Sequence, residues 1–315
     1  MSYKMNFIND MNNILGEWLR INGIPIHAKD NNNILEFSRY YRLCIMPIPR
    51  KVYISKELKK SIKFITYQKE ITLIRDIFEK GENIMPFMSM RKNAKKGQNP
   101  YNDALLNNWH MHHFHLNLEK DNLGYIKRSK DLLFCIVKPE SVYMIDIQSH
   151  QDNWADKRLL EIVDSNWSEL LEPFIVNGIT SAPSQSVYEE SRKYNINCLI
   201  CINGKILCPF DFGISADGTS SVVNYWADNI KMQLKNFEYL FDNEPTITQN
   251  IKNNSKIELI DCFSFQMDNS TELLNFFFQT NNEDKIHIIY DEKSRNIDFT
   301  IIKNEIIITN SYYLI

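Results

Sequence analysis

Apolar positions along the 315-residue chain fall into blocks whose spacing switches between helix and strand periods. Between Met11 and Asn22, residues Ile14, Leu15, Trp18, Leu19 and Ile21 recur at helical intervals until Gly23-Ile24-Pro25, which predicts a short opening helix. The run from Ile34 to Ile54 is dense in apolar and aromatic residues and reads as strand-rich, broken by Pro47 and Pro49. Ser55 is placed to cap a long helix from Lys56 to about Lys80, with Gly81 as its end signal. A short helical turn over DALLNNW from Asp103 comes next. HMHHFHLNLE and DLLFCIVKPESVYMIDIQSH then predict a three-strand meander, with a break at Asn122-Leu123-Gly124. From Asp156 to Leu171 the helical period returns through Leu159, Leu160, Ile162, Val163, Trp167, Leu170 and Leu171, and Pro173 closes it.

The second half has a different pattern. Two apolar runs joined by Asn203-Gly204 predict a hairpin with a two-residue turn. Val223, Trp226, Ala227, Ile230, Leu234, Phe237 and Leu240 form the stripe of an amphipathic helix, capped by Ser or Thr near 219–221. The tail reads as a strand, a helix and three further strands, and the Asn-rich stretch 244–256 marks a boundary before it. The pattern as a whole implies an α/β (α+β) protein in four parts: an N-terminal α/β segment 1–55, a central domain 56–172, an α/β module 173–245 and a C-terminal α/β meander 246–315.

Bulk properties narrow the function classes. A net charge of −3 gives no global field for nucleic acid, so such a partner must be held by a local basic patch. The first residues lack the apolar core of a signal peptide and no apolar run approaches the roughly 20 residues of a membrane helix, so a cytoplasmic protein without a membrane partner is expected. The six cysteines are spread out or sit in apolar stretches, as buried thiols do. Cys198 and Cys201 lie an odd number of strand residues apart, which points them to opposite faces and argues against a shared zinc.

Two clusters carry candidate chemistry. Residues 89–102 collect Arg91, Lys92, Lys95 and Lys96 with Gly97 and Pro100, as in an exposed loop: either a solvated surface or a phosphate-binding, substrate-contacting segment. Directly after it, five of the seven histidines fall between His110 and His150. Strand alternation places His113, His115 and Asn117 on one face, with His112 on the apolar face beside Phe114. Tyr143, Ile145 and Ile147 oppose Met144, Asp146, Gln148 and His150. If these strands are neighbours, His113, His115, Asp146 and His150 converge on a surface bordered by the basic loop and Arg128.

Two chemistries suit that set. In cofactor-free RNA cleavage one histidine takes the 2′-hydroxyl proton, another protonates the leaving oxygen, and Arg or Lys steadies the phosphorane. Alternatively, His113, His115, Asp146 and His150 hold one divalent metal whose bound water is the nucleophile of a nuclease or phosphodiesterase. A polar sheet face with structurally bonded histidines, in a non-enzymatic RNA- or protein-binding module, is the third possibility.

The segments Arg128-Ser-Lys-Asp-Leu-Leu-Phe-Cys-Ile-Val and Val142-Tyr-Met-Ile-Asp-Ile, followed by His150, resemble the C-terminal half of RelE-like bacterial toxin endoribonucleases. In that family an Arg opens a strand, a second strand follows a turn and a third ends on a catalytic His or Arg. The helix before HHFHLNLE fits the same helix-then-antiparallel-sheet order. The resemblance covers about 56–170 and implies an antiparallel-sheet catalytic domain, with Arg128 on the scissile phosphate and His150 as general acid or base. The sequence departs from the family at Leu132 and Leu133, where a second Arg is common, and at Gln151, where a Tyr is common. The chain is also far longer than those toxins. Its C-terminal half is therefore expected to be a regulatory, targeting or partner-binding module, a protein partner or inhibitor being one candidate for what it holds, an arrangement similar to larger phage-defence and abortive-infection proteins.

Overall fold

The computed structural model describes residues 6–21, 23, 24, 26, 32–88, 103–122, 124–149, 157–194, 196–209, 213–215 and 219–243, and the backbone of five strands between 263 and 313. The chain begins with helices α1 (Phe7–Ile21) and α2 (Asn33–Leu43), strand β1 (Lys51–Ile54) and helices α3 (Lys56–Lys60), α4 (Ile62–Thr66), α5 (Gln68–Lys80) and α6 (Ala104–Trp109). Strands β2 (Met111–His115), β3 (Asp131–Val137) and β4 (Ser141–Ser149) are followed by helices α7 (Lys157–Trp167) and α8 (Gln185–Lys193). Then come the hairpin of β5 (Ile200–Ile202) and β6 (Lys205–Leu207) and helix α9 (Ser221–Asn243). The tail adds β7 (Phe263–Asp268), β8 (Asn275–Thr280), β9 (Lys285–Asp291), β10 (Asn296–Lys303) and β11 (Ile306–Tyr313). The protein is mixed α and β, as its hydrophobic pattern implies, and divides into two units, Ser38–Tyr225 and Met1–Phe37 with Trp226–Ile315.

In the unit Ser38–Tyr225, β2, β3 and β4 form the expected antiparallel meander. Strand β1 adds to β4 in parallel, so the sheet is mixed and its order is β1-β4-β3-β2. The expected boundary between 55 and 56 therefore falls immediately after a paired strand. Phe114, Leu133, Cys135, Met144 and Ile147 pack on one side with Leu58, Ile71, Ile74 and Phe78 of α3 and α5. On the other side Leu132, Phe134, Ile136 and Ile145 pack with Trp109, with Leu159 and Val163 of α7, with Tyr188, and with the hairpin's Ile202 and Leu207. A strand buried on both faces needs an unbroken apolar run, and β3 supplies one in Leu132-Leu-Phe-Cys-Ile-Val.

In the stretch before the 203–204 hairpin, three elements differ from the sequence expectation for identifiable reasons. The stretch after Asn32 is helical over 33–43, because the Asn32 side chain accepts the Leu35 N–H at 3.3 Å and nucleates a turn that strand-type composition alone would not reveal. The long helix over 56–80 is three helices. Ser61, extended at φ −74° and ψ 138°, ends α3 by giving its N–H to Leu58 and starts α4 by accepting the Lys63 N–H. The helix expected over 156–171 stops at Trp167 and continues as two 3-10 turns up to Phe174.

Gly81 does end α5, with φ 72°. A Cβ there would lie 2.5 Å from the Pro49 nitrogen. Gly81→Ala is expected to cost about 2–3 kcal/mol, the left-handed penalty plus the backbone clash, read as a lower urea midpoint at unchanged m. The 203–204 turn is also as expected: Asn203 and Gly204 take φ 48° and 81°, the paired left-handed conformations of a tight hairpin turn.

In the other unit, α1 buries Phe7, Met11, Leu15 and Leu19, one residue per turn. The Asn33 amide donates to the Asn12 carbonyl at 2.8 Å, and Trp18 meets Phe37 edge-on at 5.4 Å. The tail strands form a five-stranded antiparallel meander, β7 to β11 in sequence order. Strand β8 lies where a helix was expected. Its Phe276, Phe277 and Phe278 pair along β7 opposite Met267, Gln266 and Phe265, and three consecutive aromatics favour a pleated strand over a helix. The expected boundary at 244–256 lies outside the described residues. Among the described residues, no helix is long and apolar enough to cross a membrane.

Candidate active site at one end of the central sheet

Asp103 starts the site. One of its carboxylate oxygens accepts the N–H groups of Leu105 and Leu106 at 3.1 Å each and caps α6. The helix ends at His110, left-handed at φ 57°, which turns the chain into β2. Alternation then sends His113 and His115 to the α7 side of the sheet, and His112 with Phe114 to the α5 side. Phe114 packs edge-on against Phe78 at 5.7 Å, while His113 lies 6.1 Å from Phe134.

On β4, strict alternation fails. Phe134 faces Asp146 and Cys135 faces Met144, so Ile145 is an extra residue in a bulge. The bulge separates Asp146 and Gln148 from Met144 and turns them to the face of His113 and His115. Two cross-strand rows result, His113–Phe134–Asp146 and His115–Leu132–Gln148. The strands bearing the histidines and Asp146 are not neighbours: β3 lies between them, a separation of about 10 Å, or two strand spacings. Nor is this face an open surface, since α7, Tyr188 and the hairpin cover it.

Because β2 and β4 both run antiparallel to β3, their C-terminal ends and the start of β3 share one end of the sheet. His115, Gln148 and Asp131 lie there, and exposed Arg128 leads into β3. His150 follows β4 in the sequence, and Arg91, Lys92, Lys95 and Lys96 belong to the segment that runs into Asp103. All five lie outside the described residues.

His113 Nδ1 stands 3.1 Å from the second Asp103 oxygen, with the two side chains 13% and 15% exposed. Burial pushes the Asp103 carboxyl up, but the His113 imidazole beside it, with the Leu106 N–H, outweighs burial and holds it below the ordinary carboxylate range. His115 is interior, 1% exposed, and its Nδ1 accepts the Ser129 N–H at 3.2 Å, which places the ring proton on Nε2. Ser129 Oγ accepts the Leu116 N–H at 2.8 Å and donates to the Asp131 carbonyl at 2.5 Å. Ser129→Ala is expected to cost about 1–3 kcal/mol by leaving the Leu116 N–H unsatisfied, measurable as a lower urea midpoint.

His112 has the packed role its position implied: it is buried with its ring nearly parallel to Phe114 at 6.4 Å. Burial and the Arg42 charge depress it to about 3, and burial with Arg42 and Lys138 depresses His110 to about 4. Asp146 is buried, and burial raises its carboxyl despite the Ile147 N–H and the exposed Arg158 guanidinium at 3.4 Å.

Among the described residues, no three His, Cys, Asp or Glu side chains are grouped to share a metal ion. Within the alternative metal set, His113 and His115 are divided from Asp146 by β3. Sequence reasoning missed Asp103, Ser129 and Arg158. Asp103 is visible as a helix cap, but its pairing with His113 depends on how α6 turns into β2, and Arg158 reaches Asp146 only through the packing of α7. Compared with protein-family models, curated proteins and solved structures, the chain matches none.

Proposed function

We propose that the protein is a metal-independent endoribonuclease of the cytoplasm, of toxin or phage-defence type, acting at β2 of the central sheet, where His113 meets Asp103. The observation that carries the reading is the His113–Asp103 pair: a partly accessible imidazole whose Nδ1 stands 3.1 Å from a carboxylate that is itself fixed by capping a helix. A carboxylate in that position can hold the ring in one orientation for proton transfer, as the aspartate of a hydrolase triad does. In this reading His113 and His150 are the two proton-transfer groups. One removes the 2′-hydroxyl proton as O2′ bonds to phosphorus; the other gives a proton to the departing O5′. Arg128 and the cations at 91, 92, 95 and 96 neutralise the phosphorane charge.

His115 and Asp146 act in this reading as positioning residues, His115 by tying β2 to Ser129 and Asp146 by holding Arg158. The succession of helices and a β2–β3–β4 meander supports the RelE-like resemblance, and the C-terminal strands are the proposed module for a protein partner or inhibitor. The test is incubation of the full chain with a labelled single-stranded RNA in excess EDTA. The RNA is expected to be cut and the all-deoxy oligonucleotide of the same sequence left intact. Cleavage only after a divalent metal is restored would favour the metal-dependent nuclease, and no cleavage under either condition would refute a nuclease.

A further inference from the structure

The opposite edge of the sheet carries a second feature that the histidines do not use. Strand β1 is an edge strand. Lys51 and Ser55 give their N–H groups to the carbonyls of Glu140 and Met144, so by alternation Val52 and Ile54 turn their N–H and C=O groups away from β4. An open cleft of about 670 Å³ runs along that edge, lined by Val52, Tyr53, Ile54, Phe64 and Trp167 and by the charged Lys56, Lys59, Arg75 and Glu79.

Charge and aromatic packing select the occupant. Lys51, Lys56, Lys59 and Lys60 are exposed and have no ion-pair partner among the described residues. Of the nearby acids, Glu79 pairs with Arg75 at 3.8 Å, Glu57 accepts from the neutral Asn166 amide at 2.6 Å, and exposed Glu140 lies beside Lys51. Cations outnumber acids along the edge, most of all at the C-terminal end of β1, where Lys56, Lys59 and Lys60 stand. A nucleic acid strand would need open ring faces for stacking. Here Tyr53 stacks on Tyr143 at 5.2 Å, Lys51 lies 5.1 Å from the Tyr53 ring centre, and Tyr143 meets Trp167 edge-on at 5.0 Å. What the edge does offer is an unpaired strand's backbone donors and acceptors, apolar side chains on both faces and cations at the ends.

We infer that the β1 edge is a docking site for an extended partner peptide, which adds as a fifth strand with an apolar centre and acidic residues flanking it. Backbone pairing to Val52 and Ile54 supplies the register, and the lysines at positions 51, 56 and 59 select the acidic flanks.

The probe is a fluorescein-labelled peptide Glu-Glu-Val-Thr-Val-Thr-Glu-Glu, followed by fluorescence polarisation with the full chain. Saturable binding is expected. Of two forms N-methylated on alternate residues, one should lose at least tenfold in affinity and the other keep it, because only one set of N–H groups faces β1. Lys56→Glu with Lys59→Glu should weaken binding at least fivefold. Val52→Pro, which removes an outward N–H without touching the β4 ladder, should weaken it at least tenfold. Absence of binding, or equal binding by both methylated forms, overturns the inference. So does displacement of the peptide by an equimolar uridine octanucleotide, which would make the surface a nucleic acid site. Self-association of the chain that Val52→Pro abolishes would make a second copy the occupant and overturn it equally.

Discussion

Replacing His113 by Gln is expected to lower kcat for RNA cleavage by about 10²–10⁴-fold, the usual range for losing a positioned proton-transfer group. KM should change little, because phosphate binding in this account rests on Arg128 and the loop cations. Gln is the informative substitution. Alanine at this mostly buried position would open a cavity and leave the Asp103 carboxylate without its partner, so lost activity could reflect lost structure. Glutamine fills much of the space and its amide can donate to Asp103, so the urea midpoint should fall by no more than the equivalent of about 1 kcal/mol. Asp103→Asn completes the test. Asparagine caps helices as well as aspartate does, so α6 should persist while the charge beside His113 disappears, and kcat should fall by about 10²-fold or more, in keeping with triad aspartates. Wild-type kcat in both variants would remove His113 from the mechanism.

The second large effect is on acid stability. His110 and His112 stay neutral in the fold down to about 4 and about 3, whereas the unfolded chain takes up those protons near the ordinary histidine value of 6.5. Below pH 6.5 the unfolded state binds more protons, so this stability is fully present above 6.5 and is lost as pH falls through the window down to the folded values. Each histidine contributes a slope of at most about 1.4 kcal/mol per pH unit. Between pH 6.5 and 4.5 the pair should therefore cost several kcal/mol, a large part of the roughly 5–15 kcal/mol that holds a domain together. Asp103 and Asp131, both held below their ordinary range, lose their contribution only at still lower pH. Asp146, raised by burial, works in the opposite direction, since the folded state accepts its proton first. Urea midpoints at pH 6.5, 5.5 and 4.5 should fall steadily in the native protein. They should fall about half as steeply in His112→Leu, which removes one titrating group at similar volume. Equal slopes would show that His112 is not the group responsible.

The fold and the site were legible in the sequence to different depths. The meander was readable because Leu132–Val137 is an unbroken apolar run and the breaks around it are turn-formers. The hairpin was readable because Asn203-Gly204 admits few other conformations. Helix α2 was not, since its signal is one cap at Asn32 set against a strand-like composition. The division of 56–80 likewise rests on two single residues: Ser61, whose side chain and backbone serve α3 and α4 at once, and Tyr67, which separates α4 from α5. At the site, alternation assigned His112 and His113 to their observed faces. For β4 it failed, because the bulge at Ile145 is a property of strand pairing and leaves no local mark. The meander itself puts β3 between the two polar strands, but the packing of α7 across their shared face is a tertiary fact that no periodicity encodes. That is why His115 and Asp146, expected at a surface, are interior.

The most direct test of the central claim is the chemistry of the cut ends. RNA cleaved by the native protein in EDTA should carry 2′,3′-cyclic phosphate and 5′-hydroxyl termini by mass spectrometry, because the attacking oxygen is the substrate's own O2′. Termini with 3′-hydroxyl and 5′-phosphate would mean that water attacked the phosphorus, and would contradict proton transfer to and from the 2′-hydroxyl by His113 and its partner.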